Sequence, residues 1–264
     1  MKPQTLRGSD GTFGWIEAGG GEPLVLIHGV GMRAEAWGPQ MSLPGRVIAL
    51  DMPGHGLSAA LPAGALLTDY VDWAAQAIAR LGLTSANVAG HSMGALIALG
   101  LAIRHPAKVR RVAALNGVHR RDVAARAAVV ARAEAIADGS FDIETPLNRW
   151  FQLGQEAVRD DVASWLTGVD RAGYAAAYHA FSLGDDTFAD DLGQIACPAL
   201  FLTGADDPNS TAEMARAMAE AAPLGQAVVI ENHRHMVNLT APDAVNAALT
   251  DWLCLPLVQL EKRA

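Results

Sequence analysis

Cysteine and basic charge are both scarce in this chain, and each shortage excludes a class of protein. The two cysteines, Cys197 and Cys254, lie far apart and outside any CxxC or metal-ligand spacing, so neither a disulfide scaffold nor a zinc site is expected. We interpret both as small buried hydrophobic residues. Lys and Arg number 20 against 28 Asp and Glu, a net charge of −8. Without a basic stripe to neutralise phosphates, no nucleic-acid partner is expected.

Long apolar runs are missing as well. None reaches the roughly 18 residues of a membrane-spanning helix, and the start "MKPQTLRGSDGTFGW" lacks the apolar centre of a secretory signal. We therefore expect no membrane partner and a cytoplasmic location. Apolar residues are nevertheless abundant, at 51% of 264 residues, which is enough to bury a large core in a globular protein.

Short apolar runs alternate with helical patterns along the chain. Six runs are closed by glycine or a turn residue: 23–29, 46–54, 86–90, 109–117, 198–204 and 226–232. Continuous apolar runs are typical of strands buried on both faces of a parallel sheet. Between the second and third runs, helical spacing relates Tyr70, Trp73, Ala77, Ile78 and Leu81. The alternation predicts an α/β fold with a mostly parallel central sheet flanked by helices, and residues 12–18 predict an antiparallel edge hairpin.

Two capping boxes are predicted to begin the last two long helices. Ser210 with Glu213 would begin a helix that ends before Pro223, and Thr240 with Asp243 would begin the final helix, which runs through Leu253.

One long segment interrupts the alternation. From about Arg120 to Asp191 the chain is Ala-rich and helical in pattern, without a convincing strand. Roughly seventy residues exceed an ordinary crossover of about a dozen. We predict a helical insertion at 120–191 between core regions 1–119 and 192–264. Because ligands bind beyond the carboxyl ends of such strands, this insertion is expected to form a cap there.

The run "NVAGHSMGALIALG" places Ser92 between a predicted strand and a predicted helix. Strand, sharp turn and helix are the setting of a nucleophile elbow, in which the serine hydroxyl is exposed at the tip of the turn. Gly90 and Gly94 allow the strand and helix to approach closely. The alternative is a serine that only caps the following helix.

A serine hydroxyl needs a base, and the base needs a third group to orient it. His235 lies on the loop between the last strand and the last helix, with His233 as the alternative. "LFLTGADDPNS" ends a strand and offers Asp207, with Asp206 as the alternative. The order Ser92, Asp207, His235 is the order of an α/β-hydrolase triad. The other histidines are interpreted as loop or surface residues: His28, His55, His91, His105, His119 and His179.

The turn "HGVG" after the first buried run is expected to hold the oxyanion of a tetrahedral intermediate. We predict that the backbone amides of Val30 and Met93 are the donors, the latter at a helix N-terminus. His28 and Gly29, at the end of the same strand, are expected to line the substrate site.

Together, "HGVG", "DMPGHGLS", "GHSMG", "GADD" and "HRHMVNLTAPDAVNAALTDWL" resemble the α/β-hydrolase superfamily over nearly the whole chain. In cap-bearing members the second motif shapes a turn. Within the superfamily, "RWF" (149–151), "DRAGYAAAYHAF" (170–181) and "DLGQIACPALFLTGADD" resemble the 3-oxoadipate enol-lactonases. That resemblance implies that Trp150 contacts substrate. Three cap arginines are candidates for binding a substrate carboxylate: Arg120, Arg121 and Arg149.

These residues predict a serine hydrolase that cleaves a small or medium ester or lactone through an acyl-enzyme, without metal or organic cofactor. The substrate would be a small molecule, and a homodimer is left open. Other functions known on this fold are carbon–carbon bond hydrolysis of vinylogous diketones, slow-turnover ligand reception, and cofactor-free oxygenation or perhydrolysis. A dehalogenase is disfavoured because its elbow carries Asp where this chain has Ser92.

Overall fold

The computed structural model describes residues 6–257, which fold around one eight-stranded sheet. The strands are β1 (Leu6–Ser9), β2 (Gly14–Gly19), β3 (Pro23–Ile27), β4 (Arg46–Leu50), β5 (Ala86–His91), β6 (Val109–Leu115), β7 (Ala199–Gly204) and β8 (Gly225–Ile230). Their order across the sheet is β1-β2-β4-β3-β5-β6-β7-β8. All six predicted runs form strands, and the predicted α/β-hydrolase fold is confirmed. The sixth run forms the edge strand β8, which is only partly buried, against the prediction of burial on both faces.

The sheet is parallel except at one edge. β2 pairs antiparallel with both β1 and β4, while the pairs from β4 through β8 are all parallel. Residues 12–18 therefore contribute to an antiparallel hairpin at the edge, as predicted. Since the parallel strands point the same way, the loops after β3, β5, β6, β7 and β8 emerge at a common edge of the sheet.

Helices cover both faces of the sheet. They are α1 (Leu67–Arg80), α2 (Met93–Arg104), α3 (Val123–Ala137), α4 (Glu144–Trp150), α5 (Glu156–Thr167), α6 (Arg171–Ser182), α7 (Ala212–Ala221), α8 (Val237–Thr240) and α9 (Pro242–Leu253). Side chains of β3 alternate between the two layers: Val25 and Ile27 pack in the cluster that contains α1 and α2, and Leu24 and Leu26 pack in the cluster that contains α9. Because both faces are buried, the strand reads as one continuous apolar run.

The segment between β6 and β7 contains α3 to α6 and no strand within the described residues. We call residues 120–191 the cap segment. Its apolar side chains form a third cluster, in which Leu147 and Leu166 of the cap segment meet Met32 and Met236 of the core loops. The backbones of Gly54 and Gly173 also approach so closely that a Cβ at either position would overlap the other residue. The predicted limits of the cap remain a prediction.

Both predicted capping boxes are wrong. Thr211, not Ser210, caps α7, because its side chain accepts a hydrogen bond from the Met214 amide, whereas the Ser210 hydroxyl donates to the Asn116 carbonyl. The final helix begins at Pro242 after Ala241, without a side-chain cap. Thr240 belongs instead to α8. At α7 the neighbouring residue caps because a tertiary contact engages Ser210, and Thr240 instead donates to the Met236 carbonyl one turn earlier in the chain.

The cysteine interpretation is half right. Cys197 is buried and Cys254 is exposed at the end of α9. Burial raises the pKa of the Cys197 thiol to about 12, which makes it an inert core side chain.

None of the helices within residues 6–257 is both long enough and apolar enough to cross a membrane.

Candidate active site

Ser92 lies at a sharp turn between β5 and α2. Its backbone has φ 55° and ψ −117°, a conformation that non-glycine residues rarely adopt. The turn requires glycine on both sides, because a Cβ at Gly90 would overlap the Gly94 carbonyl and a Cβ at Gly94 would overlap the Ile27 carbonyl. Backbone strain of this kind concentrates at functional sites, and the geometry agrees with the predicted elbow.

The loops after β7 and β8 bring His235 and Asp207 together. His235 Nδ1 lies 2.7 Å from Asp207 Oδ2, and both side chains are buried. Since a carboxylate oxygen accepts, Nδ1 carries the proton and Nε2 is left as the basic nitrogen. This is the relation between base and orienting acid in a catalytic triad.

Asp207 is held in place by two further hydrogen-bond donors. Its Oδ2 also accepts from Asn116 Nδ2 at 2.8 Å, and its Oδ1 accepts from the Asn209 amide at 2.8 Å. Burial alone would raise the pKa of Asp207, but the facing His235 ring and these hydrogen bonds outweigh it and lower the pKa below its ordinary value. The carboxylate is therefore ionised at neutral pH. Asn116, at the end of β6 with φ 49°, is a site residue that sequence reasoning missed.

The two alternatives for acid and base occupy other positions. Asp206 is exposed and accepts from Gln152 Nε2 at 2.8 Å. His233 Nδ1 lies 3.0 Å from the Thr240 hydroxyl. The described structure therefore pairs Asp207 with His235 and does not pair Asp206 with His233.

His91 connects the elbow to the His235 loop. Its Nε2 lies 2.8 Å from the His235 carbonyl, so Nε2 carries a proton and donates, and the two rings are 5.0 Å apart. Burial and the facing His235 ring lower the pKa of His91 to about 3. His235 is thus fixed beside the residue that precedes Ser92. Among hydrogen bonds of the described residues, none joins the Ser92 hydroxyl to the His235 ring.

The predicted oxyanion turn follows β3. Neither Val30 nor Met93 donates its amide to one of the loop or turn backbone hydrogen bonds formed by residues 6–257. Gly29 borders the elbow, since a Cβ added there would lie 3.0 Å from the Ser92 Cβ. The predicted role of the Val30 and Met93 amides in binding an oxyanion stays a prediction.

Two buried histidines fix this turn. The Gly31 amide donates to His55 Nε2 at 2.9 Å, and the Met52 amide donates to His28 Nε2 at 2.9 Å. Each ring donates its Nδ1 proton to a carbonyl, His28 to Gly29 and His55 to Pro53. Both rings are neutral: burial lowers the pKa of His55 to about 4 and that of His28 well below its usual range.

These contacts correct two expectations. His28 and His55 lie in loops, as predicted, and His91 ends β5, but all three are buried and none is a surface residue, because each accepts or donates to backbone inside the protein. Both His28 ring nitrogens are used in this way, which argues against its predicted direct role in binding substrate. The signal that could have identified them is the position of each, at or next to the end of a buried apolar run.

The motif "DMPGHGLS" shapes a turn, as its resemblance implied. Asp51 is completely buried and accepts from the amides of Ala34 and Leu57, and the Ser58 hydroxyl donates to the Asp51 carbonyl. Arg7 pairs with the same carboxylate at 2.6 Å. Asp51 is therefore satisfied by structural contacts.

The cap segment contributes one aromatic ring to the site. Trp150, the last residue of α4, stacks on the His235 ring with centroids 5.7 Å apart and planes 26° apart. The predicted contact with substrate stays a prediction, and the structure adds a direct contact with His235.

The three candidate arginines of the cap segment differ in what they bind. Arg121 is buried against Asp185 and lies 4.4 Å above the Phe181 ring. Arg120 is exposed and pairs with Asp190. Arg149 is exposed and makes none of the ion pairs found within residues 6–257; it lies close enough to the Tyr178 phenol to act on its pKa, which burial raises to about 12.

The described residues provide no candidate metal-binding site. No group of three or more His, Cys, Asp or Glu side chains within residues 6–257 is arranged to hold a metal ion.

Comparisons with known proteins show the family and the fold. The model described as "Alpha/beta hydrolase family" matches residues 24–248. A relative from Acinetobacter baylyi, named (E)-2-((N-methylformamido)methylene)succinate hydrolase, is 54% identical over 261 residues, which cover 96% of this chain and 98% of the relative. A 2-hydroxymuconate semialdehyde hydrolase from a Pseudomonas species is 41% identical over 104 residues, 36% of each chain.

Among solved structures, an enol-lactonase from Burkholderia xenovorans is similar with a TM-score of 0.81 and 25% identity, covering 92% of this chain and 97% of that one. The predicted resemblance to enol-lactonases is thus present in the structure, while the Acinetobacter relative, at higher identity, is a hydrolase of another kind.

Proposed function

This chain belongs to the α/β-hydrolase family and is a hydrolase, and we propose that it is a serine hydrolase acting on a small carboxylate-bearing substrate through Ser92, His235 and Asp207. The observation that carries the proposal is the 2.7 Å contact between His235 and Asp207 beside the strained Ser92 turn. The His91 bond to the His235 carbonyl supports it, because it holds the base next to the nucleophile.

The proposed substrate has an acyl group on a nitrogen or oxygen that is itself attached to a carbon–carbon double bond. The Acinetobacter relative is named for a formamide joined through a methylene carbon to succinate, and an enol-lactone has the corresponding arrangement with oxygen. In both, the double bond stabilises the leaving group by conjugation. Ester or lactone hydrolysis and hydrolysis of an enamide are therefore the same displacement at an acyl carbon.

In the proposed mechanism, His235 takes the Ser92 proton at Nε2 while Asp207 stabilises the imidazolium through Nδ1. The Ser92 oxygen attacks the acyl carbon, and the oxyanion is bound by the amides of Val30 and Met93. His235 then protonates the departing nitrogen or oxygen, and the carbon–heteroatom bond breaks to leave the acyl-enzyme. Water, deprotonated by His235, releases the acid and restores the Ser92 hydroxyl.

Arg149 is the proposed partner for a substrate carboxylate. It precedes Trp150, which stacks on His235, and unlike Arg120 and Arg121 it has no carboxylate of the described protein to bind. A succinate skeleton supplies such a carboxylate, and guanidinium binds it through paired hydrogen bonds.

The nucleophile is tested with Ser92→Ala, measured on p-nitrophenyl acetate, on the N-formyl enamide of succinate and by fluorophosphonate labelling. We expect a folded protein that has lost labelling and at least about 1,000-fold of its turnover. Labelling or turnover retained in this variant would contradict the proposal.

The carboxylate site is tested with Arg149→Met, with Arg120→Met as the matched control. For the dicarboxylate substrate, Arg149→Met is expected to raise KM about tenfold or more and to leave the KM for neutral p-nitrophenyl acetate unchanged. Equal effects on both substrates, or an equal effect of Arg120→Met, would contradict the assignment.

A second candidate function is hydrolysis of a carbon–carbon bond in a vinylogous diketone. It is favoured by the local 41% identity to a 2-hydroxymuconate semialdehyde hydrolase. Turnover of a ring-cleavage diketone exceeding that of the enamide and of enol-lactones would select this alternative.

A further inference from the structure

The two residues that precede the proposed base and acid both bind the cap segment. Arg234 Nη1 donates to the carbonyl of Asn148 at 3.0 Å and to that of Phe151 at 2.9 Å. Asp206 Oδ2 accepts from Gln152 Nε2 at 2.8 Å. The loops that carry His235 and Asp207 are therefore each attached to the chain around Trp150.

We propose that Arg234 and Asp206 are positioning residues that fasten the end of α4 to the catalytic loops and so hold the Trp150 indole against the His235 ring. The proposal rests on the proposed role of His235 as the base. It assigns Trp150 a role that acts through the base rather than through the substrate.

The physical reason lies at the end of the helix. The last carbonyls of a helix have no partner within it, and a cation there is favoured by the helix dipole. Arg234 satisfies two carbonyls on either side of Trp150 with one nitrogen, which fixes both the position and the rotation of the helix end. Phe151, whose side chain is buried in the third apolar cluster, anchors the same turn from the other side.

Stacking on Trp150 has two consequences for the His235 ring. An indole lying nearly parallel to the imidazole limits ring rotation, so Nδ1 stays on Asp207 and Nε2 stays on the side of the elbow. The indole face also attracts the imidazolium cation that forms as Ser92 attacks, by about 0.5 to 2 kcal/mol in proteins generally, which corresponds to a factor of about 2 to 30 in rate.

We call the contacts of Arg234 and Asp206 with the chain around Trp150 the clamp. It is tested by Arg234→Met, which keeps the apolar stem and removes both hydrogen bonds, and by Gln152→Leu, which removes the Asp206 contact from the cap side. We expect Arg234→Met to lower kcat about tenfold, with a smaller change in KM, and Gln152→Leu to lower it less. Arg234→Lys is the conservative rescue, because both bonds come from a single nitrogen that an ammonium can replace.

The matched control is Arg159→Met. Arg159 also binds α4, through the side chains of Glu144 and Asn148, but makes no hydrogen bond to the two carbonyls that Arg234 binds. It should leave kcat unchanged. Urea unfolding of each variant separates lost stability from lost positioning.

A spectroscopic measurement reports the stacking without activity. A protonated imidazole in contact with an indole quenches its fluorescence, and the Trp150 contribution is obtained by subtracting the spectrum of Trp150→Phe. The charged or titratable side chains near the His235 ring are Asp207, Arg234 and His91, and burial keeps His91 neutral by holding its pKa at about 3. Quenching of Trp150 at low pH should therefore disappear in His235→Asn.

We expect this quenching to be lost in Arg234→Met and kept in Arg234→Lys, Arg159→Met and Ser92→Ala. Full kcat together with unchanged quenching in Arg234→Met would overturn the clamp. If Ser92→Ala remains active while the quenching behaves as expected, the proposed function fails and the attachment of α4 stands.

Discussion

The central sheet and the cap segment are stabilised in different ways. In β3 the residues from Leu24 to Ile27 are completely buried, whereas the fifteen residues of α3 bury only Ala133. Ser92, Asp207 and His235 all belong to loops of the sheet. The difference indicates that the proposed catalytic residues rest on a densely buried core, whereas the first helix of the cap segment rests on few buried side chains.

The kinds of polar contact also differ between the core and the cap segment. Around the catalytic loops of the core, neutral histidines bind backbone groups in full burial. In the cap segment, charged pairs predominate, as in the contacts of Arg126 with Asp185 and Asp186. Acid should therefore weaken the core side of the site by a mechanism that the cap segment does not share.

The largest expected effect is a loss of stability between pH 6.5 and about pH 4. His28, His55 and His91 all have lowered pKa values in the folded protein, while in the unfolded chain each titrates near 6.5. Below that pH the unfolded state binds more protons, so stability falls as pH falls. His55 and His91 each contribute about 2 kcal/mol of loss at pH 5, and His28 adds to the loss in the same direction; urea unfolding at pH 7 and pH 5 measures it.

The lowered pKa of Asp207 acts outside this window. The stability that it contributes is present above about pH 4 and is lost only as pH falls further. His55→Asn should reduce the loss between pH 7 and pH 5 by about 2 kcal/mol, and the exposed His179→Asn should not change it. Equal urea midpoints at the two pH values would show that the three rings are not held neutral by the fold.

Two glycine substitutions, one in the core and one in the cap segment, test the difference in rigidity and have the second largest expected effect on stability. Gly94→Ala places a Cβ against the Ile27 and His28 carbonyls, which the sheet holds in place, so we expect a loss of about 3 kcal/mol in the free energy of unfolding. Gly168→Ala in the cap segment, where the nearest atom is 3.4 Å away and φ is −87°, should instead stabilise by about 0.5 kcal/mol. Thermal or urea unfolding of both variants provides the test, and equal losses would contradict the difference in rigidity.

Sequence patterns predicted the sheet because burial on both faces leaves an uninterrupted apolar run, as in β3 and β7. They also predicted the pairing of His235 with Asp207, since parallel strands end at one edge. They failed where a residue's partner is distant in sequence. Ser210 and Thr240 have the chemistry of caps, but Ser210 is engaged by Asn116, 94 residues away.

The buried histidines were misread for a related reason. A histidine in a loop is ordinarily exposed, and nothing local in the sequence indicates that the Gly31 amide will turn towards His55. Asn116 left no signal either, because its partners Asp207, Thr203 and Ser210 all follow the cap segment in the chain.

Asn116 provides the most local of the expected effects on catalysis. Its Nδ2 shares Asp207 Oδ2 with His235, so its removal takes a donor from the carboxylate and leaves it free to rotate away from the ring. Asn116→Gly is the suitable variant, because glycine accepts the φ of 49° without strain. We expect kcat to fall about tenfold, in line with one hydrogen bond to a charged group, with KM little changed.

Asn238→Ala is the matched control for that variant. Asn238 is equally buried and donates one hydrogen bond, to the Ala36 carbonyl, away from Asp207. Both substitutions should lower the free energy of unfolding by about 1 to 3 kcal/mol, yet only Asn116→Gly should lower kcat. If the two variants lose stability and activity in the same proportion, Asn116 supports the fold alone, and the orientation of Asp207 depends on the Asn209 amide.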